Sequence, residues 1–223
     1  MLLRKIQIFG FRSFSDRAEI DFVPGINCIV GPGGSGKSNI LDAINWVVEG
    51  KSKNPECKSS LGPINVNEDM TEVTLTFTNP KKPSRGLKEL ILTRRLSIAG
   101  KSKYLLNGKS CTGQDVRKSL TGYSLCFYVP GKDNRLPGFE RFIAGVEKKS
   151  CSLCIIDDID GISNESVLKI KLLLRPDLGI TQLLVATQRK DIMEIADKIV
   201  GVTAWDEKKE TLGASRILDV KLK

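Results

Sequence analysis

Residues Gly31-Pro32-Gly33-Gly34-Ser35-Gly36-Lys37-Ser38 fit the pattern G-x-x-x-x-G-K-[ST] at every fixed position. An apolar run, residues 26–30, precedes them, and a segment with helical periodicity, residues 39–48, follows them. A strand, a glycine-rich loop and a helix in this order are the context in which such a match forms a phosphate-binding loop. The stretch therefore predicts a site for a nucleoside triphosphate.

Each part of this loop has a chemical task in that prediction. Backbone N–H groups of a glycine-rich turn cradle phosphate oxygens, and the start of the helix adds partial positive charge. Lys37 would reach the β- and γ-phosphates, and the Ser38 hydroxyl would bind Mg²⁺. We therefore expect ATP and Mg²⁺ as cofactors. The expected nucleotide contacts from the loop are Gly31, Gly33, Gly34, Ser35, Gly36, Lys37 and Ser38.

A second element of the site follows a short apolar stretch later in the chain. Residues 153–156 are apolar, and Asp157 and Asp158 come directly after them. A phosphate-binding loop needs an acidic partner at the end of a buried strand, so we interpret this segment as a Walker B motif. Asp157 would hold the metal, directly or through water. Asp158 would align or deprotonate the attacking water.

The order of strand and helix signals predicts an α/β fold. Residues 73–108 read as an antiparallel meander that ends in the hairpin signal Asn107-Gly108. After residue 131, apolar strands alternate with helices, which indicates a parallel sheet. We therefore expect a P-loop NTPase with a mixed central sheet, helices and an antiparallel β subdomain. Residues 1–130 would form an N-terminal lobe and residues 131–223 a C-terminal lobe, together making one unit.

The positive charge is concentrated in one segment. Residues 81–118 contain eleven basic side chains but only two acidic ones, so they carry the whole net charge of +9. Two interpretations stay open: a solvated surface that keeps the chain in solution, or a surface that binds nucleic-acid phosphates. The nucleic-acid candidates are Arg94, Arg95, Lys101 and Lys103.

Membrane insertion and secretion are not expected. No stretch approaches the roughly 18 consecutive apolar residues of a membrane span, and residues 1–9 read as a strand rather than a signal peptide. We expect a soluble, intracellular protein.

A series of motifs resembles the head domain of SMC (structural maintenance of chromosomes) proteins, which are ABC-type ATPases. The resemblance runs from about residue 2 to residue 203. It implies two further nucleotide contacts, Arg12 and Asn39, and a switch position at Gln188. The matching segments are Phe11–Phe14, Gly31–Ile44, Tyr104–Lys109, Asp115–Arg117, Ile156–Asp160, Thr187–Lys190, Met193–Asp197 and Val200–Thr203.

The resemblance also implies a mechanism and partners. Two SMC heads sandwich two ATP molecules, the signature segment of one head facing the γ-phosphate of the other. Hydrolysis reopens the heads, and coiled-coil arms transmit the change to DNA, which lies near the antiparallel lobe. The expected partners are DNA and another SMC-type head, in a homodimer or heterodimer. The expected location is the cytoplasm or nucleoid of a prokaryote, or the nucleus of a eukaryote.

Several departures from the family pattern fall between the two lobes. The coiled-coil arms should leave between Val129 and Leu136, but only residues 130–135 stand there. Either the chain is naturally a head without arms, or two halves of a head were joined. Gly131 occupies the place of the Q-loop glutamine. The nearest match to the signature L-S-G-G-E is Leu136-Pro137-Gly138-Phe139-Glu140, with proline for serine and phenylalanine for glycine.

Two catalytic candidates depart from the family as well. Asp158 stands where these heads have glutamate and is one methylene shorter. Gln188 replaces the switch histidine and can donate a hydrogen bond but cannot carry charge. Lys37, Ser38 and Asp157 are intact, so we expect ATP binding to survive better than hydrolysis. Two hypotheses follow: a weakly active SMC-like ATPase head, or a hydrolysis-deficient ATP-binding module that regulates a complete head. A transporter subunit fits the motifs less well.

Overall fold

The computed structural model describes residues 2–50, 62–78, 89–121, 125–128, 142–143, 145, 152–174, 180–206 and 211–220. The strands are β1 (Leu2–Phe9), β2 (Ala18–Asp21), β3 (Gly25–Val30), β4 (Met70–Thr78), β5 (Glu89–Ser97), β6 (Ser102–Leu106), β7 (Lys109–Cys111), β8 (Leu125–Tyr128), β9 (Leu153–Ile156), β10 (Gln182–Ala186), β11 (Lys198–Asp206) and β12 (Thr211–Val220). The helices are α1 (Lys37–Glu49), α2 (Gly113–Ser119), α3 (Asn164–Leu172) and α4 (Lys190–Met193). Within these ranges, no helix has the length and apolar character needed to cross a membrane.

The first sheet contains the predicted antiparallel meander as β4 to β7, and β1 and β2 extend it. Its strands are hydrogen-bonded in the order β2-β1-β4-β5-β6-β7. Along β4, Val73, Leu75 and Phe77 are buried while the residues between them are partly exposed, because successive side chains of a strand point to opposite faces. Asn107 and Gly108 both have positive φ, as the predicted tight turn between β6 and β7 requires.

The second sheet is mixed and draws on both halves of the chain. Its order is β12-β11-β3-β10-β9-β8, with parallel pairing throughout except between β11 and β12. Strands β3 and β8 lie before residue 130, and β9 to β12 lie after it. The expected boundary near residue 130 therefore divides the sequence but does not divide this sheet.

Helix α1 packs in the core between the two sheets. On the second sheet, Ile29 and Leu184 belong to the apolar cluster shared with α1 and the first sheet. Their neighbours Cys28 and Val185 belong to the cluster on the opposite face, together with Val167 of α3. Because β3, β9 and β10 are buried on both faces, they are mostly apolar rather than alternating, and the polar Asn27 and Gln182 within β3 and β10 are buried as well.

A buried amide connects the second sheet to the first. The Gln182 side chain in β10 accepts a hydrogen bond from the Leu3 N–H (2.9 Å) and donates to the carbonyls of Leu3 (2.8 Å) and Val23 (3.0 Å). Gln182 is fully buried, and each of these contacts satisfies a polar group that would otherwise be costly to remove from water. These bonds place β1 directly beside the strand that leads to Gln188.

Candidate nucleotide-binding site

The phosphate-binding loop links β3 to α1 in a backbone shape that favours glycine. Gly34 and Gly36 have φ values of 75° and 102°, and Gly36 is the residue that caps the N-terminus of α1. A Cβ atom at Gly36 would lie 2.3 Å from the Ser215 hydroxyl and 2.8 Å from the Ser13 hydroxyl. Both backbone conformation and close packing therefore require glycine at this position.

The remaining residues of the loop differ in how tightly they are packed. A Cβ atom at Gly31 would lie 2.1 Å from the Val202 carbonyl oxygen, whereas one at Gly33 would meet nothing within 4 Å. Ser35 is buried, and its N–H donates to the Pro32 carbonyl at 3.2 Å. The loop is thus anchored at its start and at Ser35, with an open face at Gly33.

Lys37 folds back over this loop. Its ammonium group donates to the carbonyl oxygens of Gly31 (2.8 Å) and Pro32 (2.9 Å). Burial lowers the pKa of Lys37, while the charges of Asp160, Asp157 and Asp158 oppose that shift. The lysine charge therefore lies among the loop backbone and near three carboxylates, where the sequence predicts the terminal phosphates.

Folding brings the two predicted metal ligands into direct contact. The Ser38 hydroxyl donates to Asp157 Oδ1 at 2.9 Å, although 119 positions separate the residues in sequence. Asp157 is 9% exposed. Burial raises the pKa of Asp157 to about 6; the Ser38 hydrogen bond opposes this shift and the Asp158 charge adds to it.

This pair of oxygen donors fits Mg²⁺. Hard oxygen ligands, a carboxylate and a hydroxyl, are those that Mg²⁺ takes in triphosphate sites. The raised pKa of Asp157 means that its negative charge is poorly solvated, and a bound cation would compensate that charge. Ser38 and Asp157 are therefore the residues that could hold the metal.

Asp158 and Gln188 lie at the same edge of the second sheet. Strands β9 and β10 are parallel neighbours with Ile156 opposite Val185, so the residues that follow each strand emerge together. Asp158 is exposed and has a φ of 44°, a conformation in which aspartate is enriched among non-glycine residues. Gln188 is also exposed. Their catalytic roles stay predictions.

Asp160 lies in a family-like segment, but the sequence motifs do not predict it as a site residue. Its Oδ1 atom accepts hydrogen bonds from the Thr187 hydroxyl and from the Gln188 N–H, the latter at 2.7 Å. Thr187 in turn is buried, and its N–H donates to the Ile29 carbonyl at 3.1 Å. Asp160 therefore connects the segment after β9 to the switch position after β10.

The two contacts implied only by the family resemblance are engaged within the protein. The Arg12 guanidinium forms an ion pair with Asp42 of α1 at 2.8 Å. The Asn39 amide donates to the Ser13 hydroxyl at 2.7 Å. Both side chains lie beside the first turns of α1, and their contact with a nucleotide stays a prediction.

The degenerate signature Leu136–Glu140 lies outside the described residues. The Q-loop position Gly131 and the expected exit of the coiled-coil arms lie outside them too. The expectations for these segments stay predictions.

Arg94, a nucleic-acid candidate, packs against aromatic side chains inside the protein. Its guanidinium carbon lies 4.1 Å from the centre of the Trp46 ring and 4.9 Å from that of Tyr104. Its Nη1 atom donates to the Trp46 carbonyl at 2.7 Å, and burial lowers the pKa of Arg94. This geometry speaks against Arg94 as a phosphate contact, because its charge already binds α1 to the first sheet.

The other three basic candidates are more accessible. Arg95 forms an ion pair with Glu72 of β4, with 47% of its side chain exposed. Lys101 and Lys103 are exposed, and Lys103 lies opposite Arg95 across the β5–β6 pair. The surface available to a polyanion therefore centres on the two lysines.

Comparison with known sequences identifies relatives of this chain. The family model for the RecF/RecN/SMC N terminal domain matches residues 2–211. The chromosome partition protein Smc of Bacillus subtilis is 36% identical over 124 residues, covering 52% of this chain and 10% of that protein. The Smc protein of Fusobacterium nucleatum is 41% identical over 115 residues, covering 48% and 10%. The matched stretch is thus about a tenth of the length of these curated relatives.

Solved structures have the same fold. The SMC head domain from Thermotoga maritima aligns over 100% of both chains with a TM-score of 0.74 and 25% sequence identity. An SMC head bound to the C-winged helix domain of ScpA aligns over 100% of this chain and 98% of that one, with a TM-score of 0.77 and 20% identity. The expected P-loop architecture of the SMC-head type is confirmed.

Proposed function

Because this chain belongs to the RecF/RecN/SMC N-terminal domain family, we propose that it is an SMC-type ATPase head that binds Mg-ATP. The triphosphate lies on the loop of residues 31–36, with Lys37 against its terminal phosphates. Ser38 and Asp157 would hold the metal, which when bound would neutralise phosphate charge.

The observation that carries this proposal is the 2.9 Å contact between Ser38 and Asp157. The loop motif alone predicts phosphate binding, but a metal site also needs a carboxylate beside the serine. The contact supports the proposal because residues from opposite halves of the chain supply the required pair of oxygen donors.

Hydrolysis, in this proposal, is slow. An attacking water would bond to the γ-phosphorus, pass a proton toward Asp158, and release ADP as the bond to the bridging oxygen breaks. Asp158 reaches one methylene less far than glutamate, and a misplacement of about 1 Å can lower a rate about 100-fold. Gln188 would donate a hydrogen bond to the γ-phosphate without adding positive charge.

The biological role we propose is in chromosome organisation or repair, with DNA bound at Lys101 and Lys103. Exposed lysines on a strongly basic segment attract phosphates over long distances. A second SMC-type head is the proposed protein partner, and the nucleoid or nucleus the proposed location. The departures Pro137 and Phe139 predict weak pairing of two copies, so light scattering with ATP should find a monomer; a stable homodimer would contradict this expectation.

Calorimetry and an ATPase assay on the purified chain test the proposal. We expect Mg-dependent ATP binding that Lys37→Ala abolishes and that Lys109→Ala, a change at an exposed lysine of β7, leaves intact. We also expect slow turnover above the Lys37→Ala background, measured with and without DNA.

The outcomes separate the two hypotheses. A folded wild-type chain without Mg-dependent affinity for ATP would refute the proposed function. Binding together with turnover no greater than that of Lys37→Ala would leave the alternative, a hydrolysis-deficient ATP-binding module that regulates a complete head.

A further inference from the structure

The strand β12 contacts the phosphate-binding loop through one buried serine. Ser215 is 3% exposed, and its N–H donates to the Ser13 carbonyl at 2.8 Å. Its hydroxyl oxygen lies 2.7 Å from the Ser13 hydroxyl and 2.7 Å from the Ser35 carbonyl. Ser35 and Ser215 are 180 positions apart in sequence, so this contact exists only in the folded chain.

The chemistry of the groups fixes the direction of each hydrogen bond. A carbonyl oxygen only accepts, so the single Ser215 hydroxyl proton goes to Ser35. The Asn39 amide nitrogen only donates, and it lies 2.7 Å from the Ser13 hydroxyl. The Ser13 hydroxyl therefore donates its proton to the Ser215 hydroxyl oxygen. The result is a directed chain from Asn39 through Ser13 and Ser215 to Ser35.

This chain ends on a peptide unit that matters for phosphate binding. The Ser35 carbonyl and the Gly36 N–H belong to one planar trans peptide and point in opposite directions. A carbonyl held toward Ser215 therefore turns the Gly36 N–H away from β12. The 2.3 Å approach of a hypothetical Gly36 Cβ to the Ser215 hydroxyl shows how closely β12 covers this peptide.

We infer that Ser215 is a positioning residue for the phosphate-binding loop and that β12 thereby contributes to nucleotide affinity. The inference rests on the proposed function, since it concerns the same site. The hydroxyl holds the Ser35–Gly36 peptide in one orientation before the nucleotide arrives, so less ordering is needed on binding.

The test compares Ser215→Ala with Ser97→Ala. The Ser97 hydroxyl in β5 is also buried but makes no hydrogen bond within the described part of the chain, so its removal breaks no such bond. Calorimetry gives the Mg-ATP dissociation constant, and thermal unfolding without nucleotide reports stability. We expect Ser215→Ala to weaken Mg-ATP binding about three- to tenfold, the equivalent of one hydrogen bond, with Ser97→Ala unchanged.

Two further measurements separate positioning from general support of the fold. A residue that only stabilises the fold would lower the unfolding temperature and leave the affinity of the folded protein unchanged. If the chain acts as a unit, Ser13→Ala should weaken binding similarly, and the double variant should lose no more than either single one. Amide hydrogen exchange at Gly36 should also become faster in Ser215→Ala without nucleotide.

The failures are distinguishable. A wild-type chain that does not bind Mg-ATP refutes the proposed function itself. A wild type that binds, with Ser215→Ala and Ser13→Ala both unaltered in affinity, refutes only the positioning role. If Ser215→Ala does not fold, Ser13→Ala decides, because it breaks the same chain one bond earlier.

Discussion

Folding has different consequences for two regions, the nucleotide site and the basic hairpin. We define the basic hairpin as β5, β6 and residues 98–101 between them. At the nucleotide site, folding brings together residues that the motifs predict to cooperate, such as Ser38 and Asp157. At the basic hairpin, basic residues that are equivalent in the sequence pattern have different surroundings in the folded chain. Arg94 is stacked on aromatic rings, Arg95 is paired with Glu72, and Lys101 is exposed.

The difference has a physical cause. A phosphate-binding loop acts mainly through its backbone, whose shape depends on local glycines and on the helix that follows. The availability of a surface charge depends on what packs beside it, and its neighbours come from distant parts of the sequence. Trp46 of α1 and Glu72 of β4 decide the state of two adjacent arginines.

The largest expected effect is at the nucleotide site, from Asp157→Asn. Removing the charge of the proposed metal ligand should weaken Mg-ATP binding about 100-fold, because bonds to charged groups are the strong ones. Calorimetry with and without Mg²⁺ measures this loss. Asp158→Asn serves as the control and should bind Mg-ATP normally while turning it over more slowly.

The same substitution should stabilise the metal-free protein. Burial raises the pKa of Asp157 from 3.8 to about 6, so the folded state is penalised when the carboxylate is charged. This penalty is absent below about pH 4 and complete above about pH 6. At pH 7.5 we expect Asp157→Asn to raise the free energy of unfolding by on the order of 2 kcal/mol, a gain that disappears toward pH 4. Urea unfolding of both proteins across this pH range measures the gain. A gain in unfolding free energy that did not change with pH would contradict the prediction.

At the basic hairpin, Arg94→Met should lower the free energy of unfolding by about 2 kcal/mol. The variant keeps an apolar chain but loses the contact with the Trp46 and Tyr104 rings and the bond to the Trp46 carbonyl. Urea unfolding measures the change. If Arg94→Met were as stable as the wild type but bound DNA more weakly, Arg94 would be a phosphate contact rather than a packing residue.

The double variant Lys101→Gln/Lys103→Gln should weaken DNA binding about tenfold at moderate salt. Each phosphate contact removed should also reduce the salt slope of the affinity by about 1. Arg4→Gln/Arg216→Gln makes the same change of net charge at exposed positions on β1 and β12 and is the matched control. Equal losses in the two double variants would mean that net charge alone, rather than this surface, attracts DNA.

The smallest effect should come from Arg95→Met. Ion pairs with solvent-accessible side chains contribute little to stability, so loss of the Arg95–Glu72 pair should change the free energy of unfolding by about 0.5 kcal/mol or less. Measured beside Arg94→Met, it tests whether two neighbouring arginines differ as their packing indicates. Equal destabilisation by both variants would remove the distinction within the basic hairpin.

Much of the fold and of the site follows from local sequence. The run Ile26–Val30 and the glycines of residues 31–36 predict the strand and the loop without reference to distant residues. The apolar strand before Asp157 predicts a carboxylate at the same edge, because parallel strands end together. The antiparallel meander and its Asn107-Gly108 turn were predicted on the same local grounds and are confirmed.

The tertiary structure alone decided which side chains meet. Nothing local to Ser215 indicates that it contacts Ser35, and nothing local to Arg94 indicates that Trp46 covers it. Backbone shape is encoded within a few residues, since it depends on φ, ψ and hydrogen bonds to near neighbours. The partner of a side chain is set by how sheets and helices pack. For this reason the sequence predicts where phosphate would bind, and only the fold shows which charges are exposed and which hydroxyls are hydrogen-bonded to distant residues.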